Sequence, residues 1–425
     1  MQLIRNPARQ EWPSILARPV LDNAALLAQV GEVLDDIRKS GDVALGKYII
    51  KFDGEIQGDL RVSASSIVQA GDELDIELKQ AIDVAFNNIS RFHTAQQELV
   101  QPIETTAGVV CWRKSLPISR VGLYIPGGSA PLFSTVLMLG IPAMLAGCKE
   151  VVICTPAGKD GTIHPAILYA AGKVGIQEIY RIGGAQAIAA MASGTSTIAK
   201  VDKIFGPGNQ YVTAAKQLVQ MQGVAIDMPA GPSEVCVLAD ETANPAFIAA
   251  DLLSQAEHGP DSQVLLVTNN ASIINDTNIA LETQLQQLGR KSIAELALQN
   301  SKAILVANMD EAMDMVNAYA AEHLIIASTQ YEKYMDKVEH AGSVFLGNLT
   351  PESAGDYASG TNHTLPTNGY ARAYSGVSLD SFVKKVTFQH INESGIRNLG
   401  PAIITMAQAE GLDAHANAVK IRLNQ

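Results

Sequence analysis

Apolar residues are spaced in two ways along this chain. Through the first hundred residues they recur every three or four positions, the spacing of helices with one buried face. Residues 23–39, capped by Asp22 or Asn23, and residues 74–98, with Ala81, Ile82, Ala85, Phe86 and Ile89 on one stripe, are the clearest examples. Near Val109 the period changes. Arg120-Val-Gly-Leu-Tyr-Ile125 reads as a buried strand, and short apolar runs alternate with helical stretches from there on.

Strands are expected at 120–125, 150–155, 178–182 and 201–205, with helices at 132–145, 164–174, 185–192 and 211–222. After a Pro/Gly-rich crossing at 226–234, a second series has strands at 235–239, 263–268, 303–306, 324–327 and 343–346 with helices between. Strand and helix in alternation, joined by short Gly turns, predict an α/β fold with two Rossmann-like domains and mainly parallel sheets. Residues 347–372 have no clear period, and so long a stretch is usually functional or disordered. Residues 394–423 have the spacing of two or three short helices. The chain divides into a helical N-terminal part (1–120), a first α/β domain (121–233), a second (234–378) and a helical tail (379–425).

At 425 residues, 47% hydrophobic and 17% charged, there is apolar material for two or more domains. The net charge of −12 and the absence of any Lys/Arg run longer than two argue against nucleic acid or an anionic membrane as partner. The start, Met-Gln-Leu-Ile-Arg-Asn-Pro, lacks the apolar core of a signal peptide. The longest apolar run, 135–148, is broken at Gly140-Ile-Pro142 and is too short to span a bilayer. Four cysteines without a CxxC pair read as reduced thiols of a cytoplasmic protein.

Candidate chemistry sits at a few points. The turns Pro126-Gly127-Gly128, Gly183-Gly184-Ala185-Gln186 and Gly206-Pro207-Gly208-Asn209 follow strand ends, where open α/β sheets bind ligands and helix N-termini offer free N–H donors. No GxGxxG accompanies them, so the usual dinucleotide fingerprint is missing. In Asp251-Leu-Leu-Ser-Gln-Ala-Glu-His258-Gly259-Pro260 a helix is stopped by Gly-Pro, and Ile248, Leu252, Gln255 and His258 share one face. That stripe begins apolar and ends on two side chains able to hold a metal. Glu322-His323 opens an apolar strand, and a carboxylate beside an imidazole equips a site for proton transfer. These residues alone leave open a zinc hydrolase or deaminase, or a binding protein without turnover.

The chain closely resembles the histidinol dehydrogenase family. Seven segments carry the likeness in order: Val121-Gly-Leu-Tyr-Ile-Pro-Gly-Gly-Ser-Ala-Pro-Leu-Phe-Ser-Thr135, Gly183-Gly-Ala-Gln-Ala187, Phe205-Gly-Pro-Gly-Asn209, Ala230-Gly-Pro-Ser-Glu234, Ser254-Gln-Ala-Glu-His-Gly-Pro-Asp261, Glu322-His-Leu324 and Ser353-Ala-Gly-Asp-Tyr-Ala-Ser-Gly-Thr-Asn-His363. The resemblance implies four-electron oxidation of L-histidinol to L-histidine with two NAD, as the last step of histidine biosynthesis. It implies one zinc per subunit on Gln255, His258, Asp356 and His415, the last from the partner in a homodimer. Glu322 and His323 match the catalytic pair. Ser233, His363 and Glu410, with the zinc ligands and the catalytic pair, match substrate contacts. Tyr124, Gln186 and Asn209 match NAD contacts. An aldehyde-dehydrogenase-like fold is implied too, with residues 1–120 packed on the second α/β domain and the tail exchanged between subunits.

Overall fold

The unbroken apolar runs form two parallel sheets, each covered on both faces, which is what allows a strand to be apolar on both sides. The computed structural model describes residues 1–19, 23–54, 58–127, 130–158, 160–229 and 231–424. The caps considered at Asp22 and on the Asn23 side chain, and Gly128 of the first strand-end turn, lie outside the described residues.

The first sheet runs Glu178–Arg181, Glu150–Thr155, Arg120–Tyr124, Lys203–Phe205, Ala225–Ile226 in spatial order, every pair parallel. Helices Phe133–Ala146 and Pro165–Lys173 cover one face, and Gly184–Ser193 and Gln210–Gln220 the other. The second sheet runs Gln2–Arg5, Lys302–Leu305, Gln263–Thr268, Glu234–Ala239, His323–Ala327, Ser343–Leu346, again all parallel. Glu234–Ala239 and Gln263–Thr268 are buried at every position, hence their solid apolar pattern. In both sheets the connections turn opposite ways on either side of one strand, Arg120–Tyr124 or Glu234–Ala239, and leave a crevice there.

Gly206 shows how tightly the first crevice is drawn. Its φ is +122°, and a Cβ would lie 2.0 Å from the Tyr124 carbonyl oxygen. Only glycine lets the turn after Lys203–Phe205 press on the end of Arg120–Tyr124.

The N-terminal part departs from expectation. Asn23–Ser40 and Asp42–Phe52 bury Val30, Leu34, Ile37 and Leu45 against helices of the first sheet, and Ile76–Thr94 buries Ile82, Ala85 and Ile89 against Phe133–Ala146. Packing on the second α/β domain comes mainly from the first eighteen residues, through the edge strand Gln2–Arg5, the apolar Trp12 and Leu16, and Arg18. The amphipathic helices need a wide apolar cover, and the outer helices of the first sheet supply it.

A third, antiparallel sheet joins Ile103–Thr106, Val109–Pro117 and Val383–Ile391. The tail expected to be helical therefore contains, after a short 3-10 turn at Leu379–Phe382, a nine-residue strand. Its partner strand lies more than two hundred residues earlier, so no local pattern announces the pairing. Helices Glu393–Ala409 and Asp413–Arg422 then pack on one another, with Gly400 against Val419 and Leu423. The stretch without period, 347–372, contains the short helix Glu352–Tyr357.

Candidate functional site

Two parallel strands of the second sheet start side by side, Glu234–Ala239 and His323–Ala327 in register with it, and the candidate site lies at these amino ends. Successive side chains of a strand point to opposite faces, but Glu322 lies just ahead of its strand and is free to turn. Both it and His323 meet the backbone of Glu234. The Glu234 N–H donates to Glu322 Oε2 at 2.9 Å, and the Glu234 carbonyl oxygen is 3.1 Å from His323 Nδ1. Glu322 Oε2 and His323 Nδ1 are 3.6 Å apart. The dipeptide read as a proton-transfer pair thus converges on one residue of the adjacent strand.

Around this pair the structure gathers further polar groups. Gln255, in the last turn of helix Pro245–Ala256, places Nε2 2.8 Å from His323 Nδ1. Its Oε1 is buried without a hydrogen-bond partner. The two contacts at Nδ1 select opposite tautomers, because Gln255 donates there while the Glu234 carbonyl accepts. A ring with both partners within reach can hold its Nε2 as acceptor or as donor. Nε2 itself is 3.3 Å from Asp356 Oδ1 without hydrogen-bond alignment.

Glu352 is the residue that the sequence reading missed. It lies four positions before Asp356 on Glu352–Tyr357, so both carboxylates share a face. His323, Glu352 and Asp356 each offer an atom, all within 4.8 Å of one another. Glu352 is buried, with one carboxylate oxygen unpartnered. The i,i+4 carboxylate pair was its only signal, hidden in a segment with no apolar period.

Crowded carboxyl groups shift each other's protonation. Burial drives Glu322 up to about 8, against the opposing pull of His323. Glu352 is pushed well above the carboxylate range, by burial first and then by Asp356 and Glu322 despite His323. Burial disfavours charge on His323, yet Glu322, Glu352 and Asp356 together raise it to about 10. Burial opposes ionisation of Asp356 too, but His323, His363 and His258 outweigh it and hold that carboxyl below its ordinary value. His258, just past the helix end, is exposed by the surface area of the whole residue. Its ring is nevertheless crowded by protein, and this crowding lowers its pKa more than Asp356 raises it.

His363 ties the cluster to the first sheet. Its Nδ1 is 2.9 Å from the Asp356 carbonyl oxygen and its Nε2 is 3.1 Å from Thr135 Oγ1, in the first turn of Phe133–Ala146. Burial lowers its pKa, with Asp356 opposing. Ser233 immediately precedes Glu234. Glu410 and His415 stand apart: both are exposed on the tail helices, and neither is among the charges acting on His258, His323, Asp356 or His363.

The residues matched to NAD contacts lie at carboxyl ends of strands in the first sheet. Tyr124, buried, accepts from the Gly184 N–H at 3.1 Å, and Gln186 Nε2 donates to Asp53 at 2.8 Å. Burial pushes the Tyr124 phenol up to about 12. Asn209 is exposed and caps Gln210–Gln220, its Oδ1 accepting from the N–H groups of Tyr211 and Val212.

His323, Glu352 and Asp356 form a group that could hold a cation beside the amino ends of these strands. The unpartnered Gln255 oxygen, His323 Nε2 and Glu352 oxygen, with the Asp356 carboxylate, leave polar atoms there that a ligand could complete, and the His258 ring is close enough to act on Asp356. Imidazole nitrogen and carboxylate oxygen are a donor set that zinc accepts, and an amide oxygen is a weaker member of it.

The family model described as histidinol dehydrogenase matches residues 16–423. A histidinol dehydrogenase of Bacteroides fragilis is 57% identical over 425 residues, covering 100% of this chain and 99% of its own. That of Vibrio vulnificus is 51% identical over 415 residues, covering 97% and 95%. The crystal structure of histidinol dehydrogenase from Elizabethkingia anophelis matches with a TM-score of 0.97 at 58% identity, over 100% of this chain and 98% of that one.

The raised groups give the metal-free protein a defined pH response. Folded, Glu322 and His323 keep protons that the unfolded chain releases at lower pH. Their contribution to stability is complete below the unfolded pKa values and is lost as pH rises through about 8 and about 10. Thermal unfolding in chelator should therefore occur at falling temperature as pH is raised from 6 to 9. Glu322→Gln should flatten the part between pH 6 and 8, by up to about 1.4 kcal/mol per pH unit. An unchanged slope would remove Glu322 as a proton-holding group.

Proposed function

The chain belongs to the histidinol dehydrogenase family, and we propose that it oxidises L-histidinol where Glu322 and His323 meet the Glu234 backbone. It is an oxidoreductase of histidine biosynthesis. The convergence of an acid and an imidazole on one backbone, beside an unpartnered amide oxygen and a half-buried Asp356, is the observation that carries the assignment.

Two oxidations through L-histidinal demand two kinds of proton work. An alcohol gives up its hydroxyl proton as hydride leaves, and His323 Nε2 is the acceptor when Nδ1–H donates to the Glu234 carbonyl. The aldehyde must be hydrated before the second oxidation, and Glu322, held by the Glu234 N–H, takes the proton of the attacking water. Gln255, His258 and Asp356, with His415 from a second copy of the chain, hold one zinc per subunit. Ser233, His363 and Glu410 contact substrate, and Tyr124, Gln186 and Asn209 contact NAD. When bound, zinc supplies a positive charge that fixes the substrate's nitrogens, and NAD supplies the hydride acceptor. Positive charge beside Asp356 also lowers the proton affinity of both His323 and Glu322 toward that of bases working near neutral pH.

No thiol is needed. Cys154 and Cys236 are buried within strands, and burial pushes both thiols up. All four cysteines are free, which suits a cytoplasmic location, and among the described residues no helix is long and apolar enough to cross a membrane. The homodimer is supported by the tail. Its helices pack on each other and leave Met406, Leu412 and Ile421 exposed, on the same tail that carries Glu410 and His415.

A second arrangement is favoured by one observation: the close group is His323, Glu352 and Asp356, of which only Asp356 belongs to the proposed ligand set. Metal content separates the two. His323→Ala should keep zinc through gel filtration while turnover falls about 10²–10⁴-fold, whereas His258→Ala should lose both. Full zinc in the His258 variant, with loss in the His323 variant, would move the metal to the second group. For the shared site, mixed dimers of His415→Ala and Glu322→Gln chains should regain about a quarter of wild-type activity, because each hybrid has one intact site. Inactive mixtures would mean that each site is built from one chain.

A further inference from the structure

The Glu234 backbone is the contact common to Glu322 and His323, and its own side chain is clamped from a distant part of the chain. The Glu234 carboxylate is almost fully buried. Arg18 Nε donates to Oε1 at 2.5 Å and Nη2 to Oε2 at 2.8 Å, a two-pronged pair. The same guanidinium donates to the Tyr319 carbonyl oxygen at 2.8 Å and lies 4.1 Å over the Tyr319 ring, which is itself fully buried. The Asn368 N–H donates to Glu234 Oε1 at 2.7 Å. Tyr319 ends the helix Met309–Tyr319, which leads into Glu322 and His323. Arg18 therefore grips both sides of the pair at once: the strand start that both side chains touch, and the helix end from which they emerge.

We propose that Arg18 is a positioning residue for both oxidations, setting the place of Glu322 and His323 through Glu234. It does not touch the reacting atoms. A buried carboxylate without its cation would draw water or shift toward the surface, and the first residue of the strand would move with it. A displacement near 1 Å at a reacting group costs about a hundredfold in rate. The planar fork matters as well as the charge, because a lysine cannot make both contacts to the carboxylate and stack on Tyr319 together. The inference rests on the roles proposed above for Glu322 and His323.

The test measures kcat and KM for L-histidinol and, separately, for added L-histidinal, each normalised to zinc content and taken well below the unfolding temperature. Arg18→Met should lower kcat about tenfold to a hundredfold for both substrates, leave KM for NAD within twofold, and retain zinc. Arg18→Lys should recover part of the loss. If Arg18→Met does not fold, the double variant Arg18→Met/Glu234→Gln leaves no buried charge unpaired and should show the same loss of kcat. A folded, zinc-loaded Arg18→Met or double variant with kcat within twofold of wild type would overturn the inference. Glu322→Gln and His323→Ala, run alongside, separate the two levels. If they leave turnover intact, the roles of the pair have failed; if they abolish it and the Arg18 variants do not, only the positioning role has failed.

Discussion

Four carboxyl groups, those of Glu234, Glu322, Glu352 and Asp356, are gathered where little water reaches them, and the site follows from how that charge is matched. Glu234 is matched by Arg18. Glu322 is steadied by one backbone N–H, and its raised pKa records that this is not enough to favour the anion. Glu352 and Asp356 lean on His323, whose proton is held far above its ordinary range as a result. Isolated buried charge is costly, so such a group persists where a cation, a shared proton or a ligand completes it. The unpartnered oxygens of Gln255 and Glu352 mark the side on which completion is missing.

The two sheets present different ends to the chemistry. In the first, Tyr124, the Gly183–Gly184 turn and Asn209 lie at carboxyl ends of strands, the usual place for a ligand in an open α/β sheet. In the second, Glu234 and His323 begin their strands, so the working groups stand at the amino ends. His363, bonded to the Asp356 backbone and to Thr135, and Asn362, donating to the Met138 carbonyl oxygen, join the two halves across this junction. A ligand lying between them can meet strand ends of both sheets.

Much of this was legible before the structure. Solid apolar runs such as 235–239 and 263–268 announce buried parallel strands, since only such strands are apolar on both faces. A helix carrying Gln255 was readable from helical spacing, although it ends at Ala256 and leaves His258 in the turn beyond it rather than on its face, and the oddity of Glu322-His323 was readable too. Glu352 was not, because its helix is six residues long and carries no apolar stripe. Arg18 was not either: its partner is 216 residues away, and nothing local distinguishes it from a surface arginine. The strand Val383–Ile391 failed for the same reason, as pairing between distant segments leaves little trace in either alone. His415 and Glu410 carry no signal of their own in one chain; only the likeness to the family singles them out.

The central claim is that a single pair, Glu322 and His323 on the Glu234 backbone, serves an alcohol and then an aldehyde without releasing the intermediate. The amount of NADH formed per L-histidinol consumed, with zinc-loaded protein and excess NAD, tests it most directly. A ratio near two is expected, because both oxidations are then completed on each substrate molecule. A ratio near one, with aldehyde accumulating in solution, would contradict the account and leave Glu322 without the role assigned to it.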